Sequence, residues 1–236
     1  MNEPSAPRHF ASKVLAVADE CAAVKTFKLS VPDDFSFLPG MWVMINFPDQ
    51  PKVTRAYSMS SSPLQKGSIE ISLNKVGDFT VRMFALKSGD EIQLAGPYGK
   101  WRYRDEDRRA VLISGGSGLT PFRSMGRYVL DRKIPNKLSI LYSARTPADI
   151  LYAKDLEIFK SAGIKVHVTI TRGEGQSWNG PAGRLSMETV RKEVERWDEA
   201  AYYLCGPKTM VSEFTAALES AGIARERIHY EKWGDY

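Results

Sequence analysis

The chain has 236 residues, of which 43% are apolar and 26% charged, and its formal net charge is +5. That length allows one large domain or two small ones, and the composition excludes a disordered or fibrous chain. The positive surplus is small and spread over both halves, which argues against nucleic acid as partner; no apolar run is long enough for a membrane span or signal peptide, so a cytoplasmic protein with no membrane association is expected.

The first hundred residues read as β. Phe27, Leu29 and Val31 alternate with Lys28 and Ser30, and Ile69, Ile71 and Leu73 alternate with Glu70, Ser72 and Asn74. Period two places each apolar set on one face of a strand. Residues 42–47 make a further strand. Turn signals at Pro32-Asp33-Asp34, Pro39-Gly40, Pro48-Asp49, Lys66-Gly67 and Ser88-Gly89-Asp90 separate these runs, as in a small antiparallel barrel or sandwich. A short helix is expected over 80–86. The charged stretch 101–109 reads as a linker, which sets domains at 1–104 and 105–236.

Beyond the linker the rhythm changes. Strands are expected at 110–114, 138–143, 165–171 and 201–205, and helices at 121–132, 154–161, 186–196 and 209–221. Such alternation implies a doubly wound parallel sheet.

Residues 112–122 read LISGGSGLTPF. An apolar strand meets Gly115, Gly116, Ser117 and Gly118, and Thr120-Pro121 fits a helix opening with Thr as cap. This is either a plain tight turn or an anion cradle at a helix N-terminus. Its place on the first βα turn of the second domain favours the cradle, because a dinucleotide pyrophosphate rests there in doubly wound sheets. In Arg55-Ala56-Tyr57-Ser58, Arg55 and Tyr57 share a strand face. They can serve a flat ring with a phosphate tail, as in a flavin nucleotide, or be a solvated Arg and a half-buried Tyr. Gly77-Asp78-Phe79-Thr80 opens a helix whose N–H groups can cap the chain or hold a second phosphate. Cys205-Gly206-Pro207 ends a strand, and Cys205 is either simply buried or lines a site. Three aromatics stand in the last seven residues, from Tyr230 to Tyr236, to cap a ring or plug a groove. Two scattered cysteines and three scattered histidines give no metal site and no iron–sulfur cluster.

Taken in order, Arg55-x-Tyr57-Ser58, Gly77-Asp-Phe-Thr80, Gly96-Pro-Tyr-Gly99, Gly115-Gly-Ser-Gly-Leu-Thr-Pro121, Cys205-Gly-Pro207 and Glu231-x-Trp233 resemble the ferredoxin–NADP⁺ reductase superfamily over essentially the whole chain. The resemblance implies a six-stranded antiparallel flavin-binding barrel followed by an NAD(P)-binding domain. It implies FAD rather than FMN, with NADPH or NADH as donor. Tyr57 would stack on the flavin with Ala56 beside it, Ser58 would bond near its N5, and Arg55 would reach its phosphates. Asn74 and Gly77, Asp78, Phe79 and Thr80 would seat the pyrophosphate. Gly115 to Pro121 would hold the dinucleotide, with Arg145 and Arg172 as candidates for a 2′-phosphate. Cys205, Gly206 and Pro207 would line the nicotinamide site. Glu231 and Trp233 would lie on the flavin face opposite Tyr57, with Tyr236 a rival for the lid. Ser58, Cys205, Glu231 and Trp233 are the expected catalytic set. The implied function is an FAD-dependent NAD(P)H oxidoreductase, a monomer, passing electrons to a ferredoxin, a flavodoxin or a small acceptor. The alternatives are the reductase component of a multicomponent oxygenase, an electron-transfer subunit of a larger complex, and a flavin-free nicotinamide dehydrogenase.

Overall fold

The structure, a computed structural model, describes residues 3–173 and 177–232. Two compact units are present: one takes the residues up to Tyr103 together with Thr120–Asp131, the other Arg104–Leu119 and the residues from Arg132 onward.

The first unit carries β1 (Arg8–Cys21), β2 (Val24–Ser30), β3 (Trp42–Phe47), β4 (Gln50–Ser58), β5 (Ser68–Asn74), helix α1 (Asp78–Ala85) and β6 (Glu91–Tyr98). The strands run β4-β3-β6-β1-β2-β5, all neighbours antiparallel. A bridge from Met59, just past β4, to Ile71 in β5 joins the two ends of the order into a barrel. The alternating apolar set fills the interior: Phe27, Leu29, Ile45, Ile69, Ile71, Ile92 and Leu94 are all sealed from solvent. Each such side chain contributes roughly 1.5–3 kcal/mol. Strand β1 has no clean alternation to read, because register shifts at Val14/Ala16 and Asp19/Cys21 interrupt its pairing with β2; a bulge breaks period two. Helix α1 opens two residues earlier than expected.

The second unit carries β7 (Arg109–Gly115), β8 (Lys137–Ala144), β9 (Lys165–Ile170), β10 (Ala201–Gly206) and β11 (Ile228–Lys232). Helices α2 (Leu119–Asp131), α3 (Ala153–Ser161), α4 (Met187–Glu193) and α5 (Lys208–Ser220) lie between these strands in the chain. The residues of α2 from Thr120 on belong to the first unit. The five strands are parallel in the order β11-β10-β7-β8-β9. Counted from β7, that is the 3-2-1-4-5 winding of a nucleotide-binding sheet, and the order reverses between β7 and β10. One face of this sheet packs Val111 and Ile113 of β7 and Tyr202 and Leu204 of β10 against Val190 of α4 and Val211, Phe214 and Leu218 of α5.

The described part of the terminal stretch is the edge strand β11, whose backbone pairs with β10 from Ile228 to Lys232; two of the three aromatics expected to cap a ring or plug a groove, Trp233 and Tyr236, lie outside the described residues. Helix α4 stops at Glu193 because Val194 turns extended and buries itself. The charged stretch 101–109, expected as a linker, holds the passage from the first unit to the second at Tyr103 and Arg104, and it is tied down: Tyr103 is fully buried, and the Tyr203 hydroxyl accepts from the Arg104 N–H at 3.1 Å and donates to Asp107 Oδ2 at 2.5 Å. Its composition is polar, but its tyrosine packs and its backbone is tied down.

Candidate cofactor-binding sites

In the first unit, β4 carries Arg55, Ala56, Tyr57 and Ser58 along β3, with Ile45 opposite Arg55 and Val43 opposite Tyr57. Period two puts Arg55 and Tyr57 on one side of the strand. Phe79, in the first turn of α1, completes that side. Its ring stacks on Tyr57 at 6.4 Å between centroids, and the Arg55 guanidinium lies 5.7 Å from its centre. Arg55 remains exposed, its Nη1 donating to the neighbouring Thr54 O at 2.8 Å. Burial pushes the Tyr57 phenol up to about 12, against a weaker pull from Arg55, so the ring stays neutral at any working pH. Ser58 is buried, and its Oγ has no hydrogen-bond partner among the described residues. A sealed hydroxyl without a partner costs about 1–3 kcal/mol, so this atom has bonding capacity open to a ligand.

At the start of α1 the Thr80 hydroxyl reaches back, accepting from Val76 N at 2.8 Å and Gly77 N at 3.0 Å and donating to Gly77 O at 2.9 Å. The residue expected to touch a ligand is therefore engaged in holding the turn. The N–H groups of Asp78, Phe79 and Thr80 head the helix, where an intrahelical acceptor is lacking. Asn74 is the last residue of β5, paired with Val24.

The second unit brings the other motifs to the C-terminal edge of its sheet. Gly115 ends β7, and Gly116–Gly118 form a 3-10 turn that runs directly into α2 at Leu119. The helix starts earlier than expected, so Thr120 and Pro121 sit inside its first turn and Thr120 is not the cap. The glycines have separate reasons. Gly116 has φ +56°, with open space where a Cβ would be, whereas a Cβ on Gly118 would collide with the Cys205 carbonyl. Gly118 thus serves packing, and only the Gly116 end of the turn presents free room. Cys205 and Gly206 close β10, and Pro207 precedes α5. In register across the sheet, Cys205 lies between Ser114 of β7 and Glu231 of β11. Among the described residues, Ser114 is fully buried with an unpartnered Oγ, and Glu231 Oε2 is likewise sealed without a partner. Burial pushes the Glu231 carboxyl up to about 7. Arg145 and Arg172, each just past the end of a strand, are both exposed and adjacent, with Arg172 N donating to Arg145 O at 2.7 Å. Trp233 and Tyr236 lie outside the described residues.

Comparison with known proteins finds a domain family for each half of the chain. Residues 12–103 match the oxidoreductase FAD-binding domain family and residues 112–215 the oxidoreductase NAD-binding domain family. The chain belongs to the ferredoxin–NADP⁺ reductase superfamily. It is 31% identical over 233 residues to the glycine betaine monooxygenase reductase subunit of Chromohalobacter salexigens, covering 94% of this chain and 63% of that protein. It is 26% identical over 215 residues to a subunit of the Na(+)-translocating NADH-quinone reductase of Pasteurella multocida, covering 82% of this chain and 52% of that one. The chain therefore spans between half and two thirds of these relatives. Among solved structures, the ferredoxin reductase in carbazole 1,9a-dioxygenase superposes with a TM-score of 0.86 at 28% identity, covering 97% of this chain and 70% of that one.

The residues present fit both cofactors of this superfamily. The orphaned Ser58 hydroxyl, one residue past the neutral Tyr57, suits an acceptor-bearing flavin edge, and the open Gly116 turn with the unpartnered Ser114 and Glu231 suits a dinucleotide. Sequence reasoning missed Ser114, and it missed the burial of the Glu231 carboxyl. Ser114 stands in the apolar run before the glycines, and the only signal there was one hydroxyl where a sheet core wants none.

Proposed function

We propose that the chain is an FAD-dependent NAD(P)H oxidoreductase that passes electrons to an acceptor outside these 236 residues. Bound FAD supplies the conversion of a two-electron hydride from NAD(P)H into single electrons. The chain's own residues bind, orient and shield. In this reading Tyr57 packs the flavin ring, Ser58 donates to it near N5, Arg55 neutralises phosphate, and Ala56, Asn74 and residues 77–80 line the remainder. Residues 115–121 seat the dinucleotide, with Cys205, Gly206 and Pro207 beside the nicotinamide. Glu231, with a carboxyl balanced near neutrality, can present either an O–H or a carboxylate there, and Trp233 and Tyr236 are the proposed lid. Functional domains are set at 1–104 and 105–236.

The observation that carries this reading is the buried Ser58 Oγ left without a partner among the described residues, on the same strand end as the Arg55-Tyr57-Phe79 group. The acceptor is best taken as an oxygenase system or its ferredoxin, with a flavodoxin as another electron-transfer protein of the kind. The supporting facts are that one relative covering nearly all of this chain is an oxygenase reductase subunit and that the superposed structure is a ferredoxin reductase from a dioxygenase. Among the described residues, no helix is long and apolar enough to cross a membrane, and we place the protein in the cytoplasm, where NAD(P)H is kept reduced. A monomer is proposed because its exposed large apolar side chains, Leu15, Val53, Leu64, Val76, Val81 and Ile158, are scattered singly over several elements.

The test is spectroscopic. The purified protein, supplied with FAD, should show flavin absorption that bleaches on anaerobic addition of NADPH or NADH. A protein that stays colourless with excess FAD, or one whose flavin neither nucleotide reduces, would overturn the reading.

A further inference from the structure

We propose that Arg123 is a positioning residue for Ser58, fixing through Ser60 and Glu70 the direction in which the buried Ser58 hydroxyl points. The inference rests on the flavin reading above for its consequence, but its geometry is independent of any cofactor. The Ser58 Oγ has no partner among the described residues, so none of them orients it at its own tip. Its aim is inherited from the backbone just past the end of β4.

That backbone is held by a closed circuit. Ser60 N donates to Glu70 O at 2.7 Å, and Glu70 N donates to Ser61 Oγ at 3.0 Å. The Glu70 carboxylate accepts from Arg123 Nη1 at 2.5 Å, and the same Nη1 donates to Ser60 Oγ at 3.1 Å. Ser124 Oγ donates to Ser61 O at 2.6 Å, and Arg127 Nη1 stands 3.6 Å from the same Glu70 oxygen. Glu70 therefore grips the segment with its N–H, its carbonyl and its side chain at once. Arg123 joins the last of these to Ser60, two residues from Ser58.

The pair is dry: the side chains of Arg123 and Glu70 are 8% and 17% exposed. A buried ion pair is weak evidence for stability, since apolar side chains of equal volume often do as well or better in its place. An apolar side chain cannot, however, hold a carboxylate and a hydroxyl in one fixed geometry, as a guanidinium does. What the pair gives that packing does not is placement, and the residue so placed is the unpartnered Ser58.

Two measurements test this. The first needs no flavin: amide hydrogen exchange in the full chain, comparing Arg123→Met and the milder Ser60→Ala with the parent. The Met59, Ser60 and Glu70 amides should exchange about tenfold faster through local opening, while those of Ile45 and Leu94 in the barrel core stay as protected as before. Unchanged protection at Met59 and Ser60 in Ser60→Ala, which leaves the ion pair intact and should fold, overturns the proposal. The second uses the flavin-loaded protein and its midpoint potential. Arg123→Met should move the potential in the same direction as Ser58→Ala, and the double variant should move it little further, with Arg123→Lys restoring part of the shift. Fully additive shifts, or a parent-like potential in Arg123→Met, overturn it. A chain that binds no flavin would sink the proposed function and leave the exchange readout to decide the clamp by itself.

Discussion

Glu231 is a residue whose chemistry departs far from its sequence identity. Its carboxyl sits near pH 7, against an ordinary value of 4.5, because it is largely buried and one oxygen finds no partner. The folded pKa is raised above the unfolded one, so the folded chain binds the extra proton between the two. Below about pH 4.5 the group is neutral in both states and costs nothing; as pH rises through 7 the folded protein must hold a buried carboxylate, and stability is lost. Replacing it by an uncharged isostere removes that loss. Glu231→Gln, in protein freed of dinucleotide, should gain up to roughly 3 kcal/mol at pH 8 and almost nothing at pH 4.5, read by urea unfolding at the two values. An equal gain at both would show that burial of charge is not the cause. The same variant loses the group that can switch between donor and acceptor, an exchange of function for stability that is common at sites.

Among the elements, the glycine turn shows how one motif serves two ends. Gly118 lets the turn lie against Cys205 O, where a methyl group would run into backbone, whereas Gly116 needs only its left-handed φ. Gly118→Ala should therefore cost about 3 kcal/mol or more, since rigid backbone must move. Gly116→Ala should cost about 1 kcal/mol of left-handed strain while weakening dinucleotide binding. Thermal melts paired with NAD(P)⁺ titrations separate the two; a benign Gly118→Ala would show that the β10 end can yield. The sequence showed that glycines were needed here but not which neighbour demanded each. That neighbour comes from a strand much later in the chain.

The whole molecule pairs a closed antiparallel barrel with a doubly wound sheet, and the sheet's winding decides which loops share an edge. Because its order reverses between β7 and β10, the glycine turn and the Cys205-Gly206 end become neighbours, while the ends of β8 and β9 bring Arg145 and Arg172 together on the other side of β7. Two exposed arginines on adjoining backbone favour an anion, and the 2′-phosphate is the anion by which NADPH differs from NADH. NADPH should be used more efficiently than NADH, and Arg172→Ala should lower that preference about tenfold, or 1.4 kcal/mol, measured as the ratio of kcat/KM for the two donors. A parent that prefers NADH strongly would remove the assignment.

Local spacing was enough to read the change from a period-two half to βα alternation and the places of the glycine turns: an apolar residue every second place, glycine where the chain must turn. The remainder exists only once the chain has folded. Strand β1 was hidden by its bulges, β11 by having a neighbour on one side only, and the stretch 101–109 by a polar composition that conceals a buried tyrosine. The unpartnered Ser58, the raised Glu231 and the circuit through Arg123 and Glu70 arise from contacts between residues far apart in the chain, and burial and missing partners are properties of a place, which no residue type carries alone.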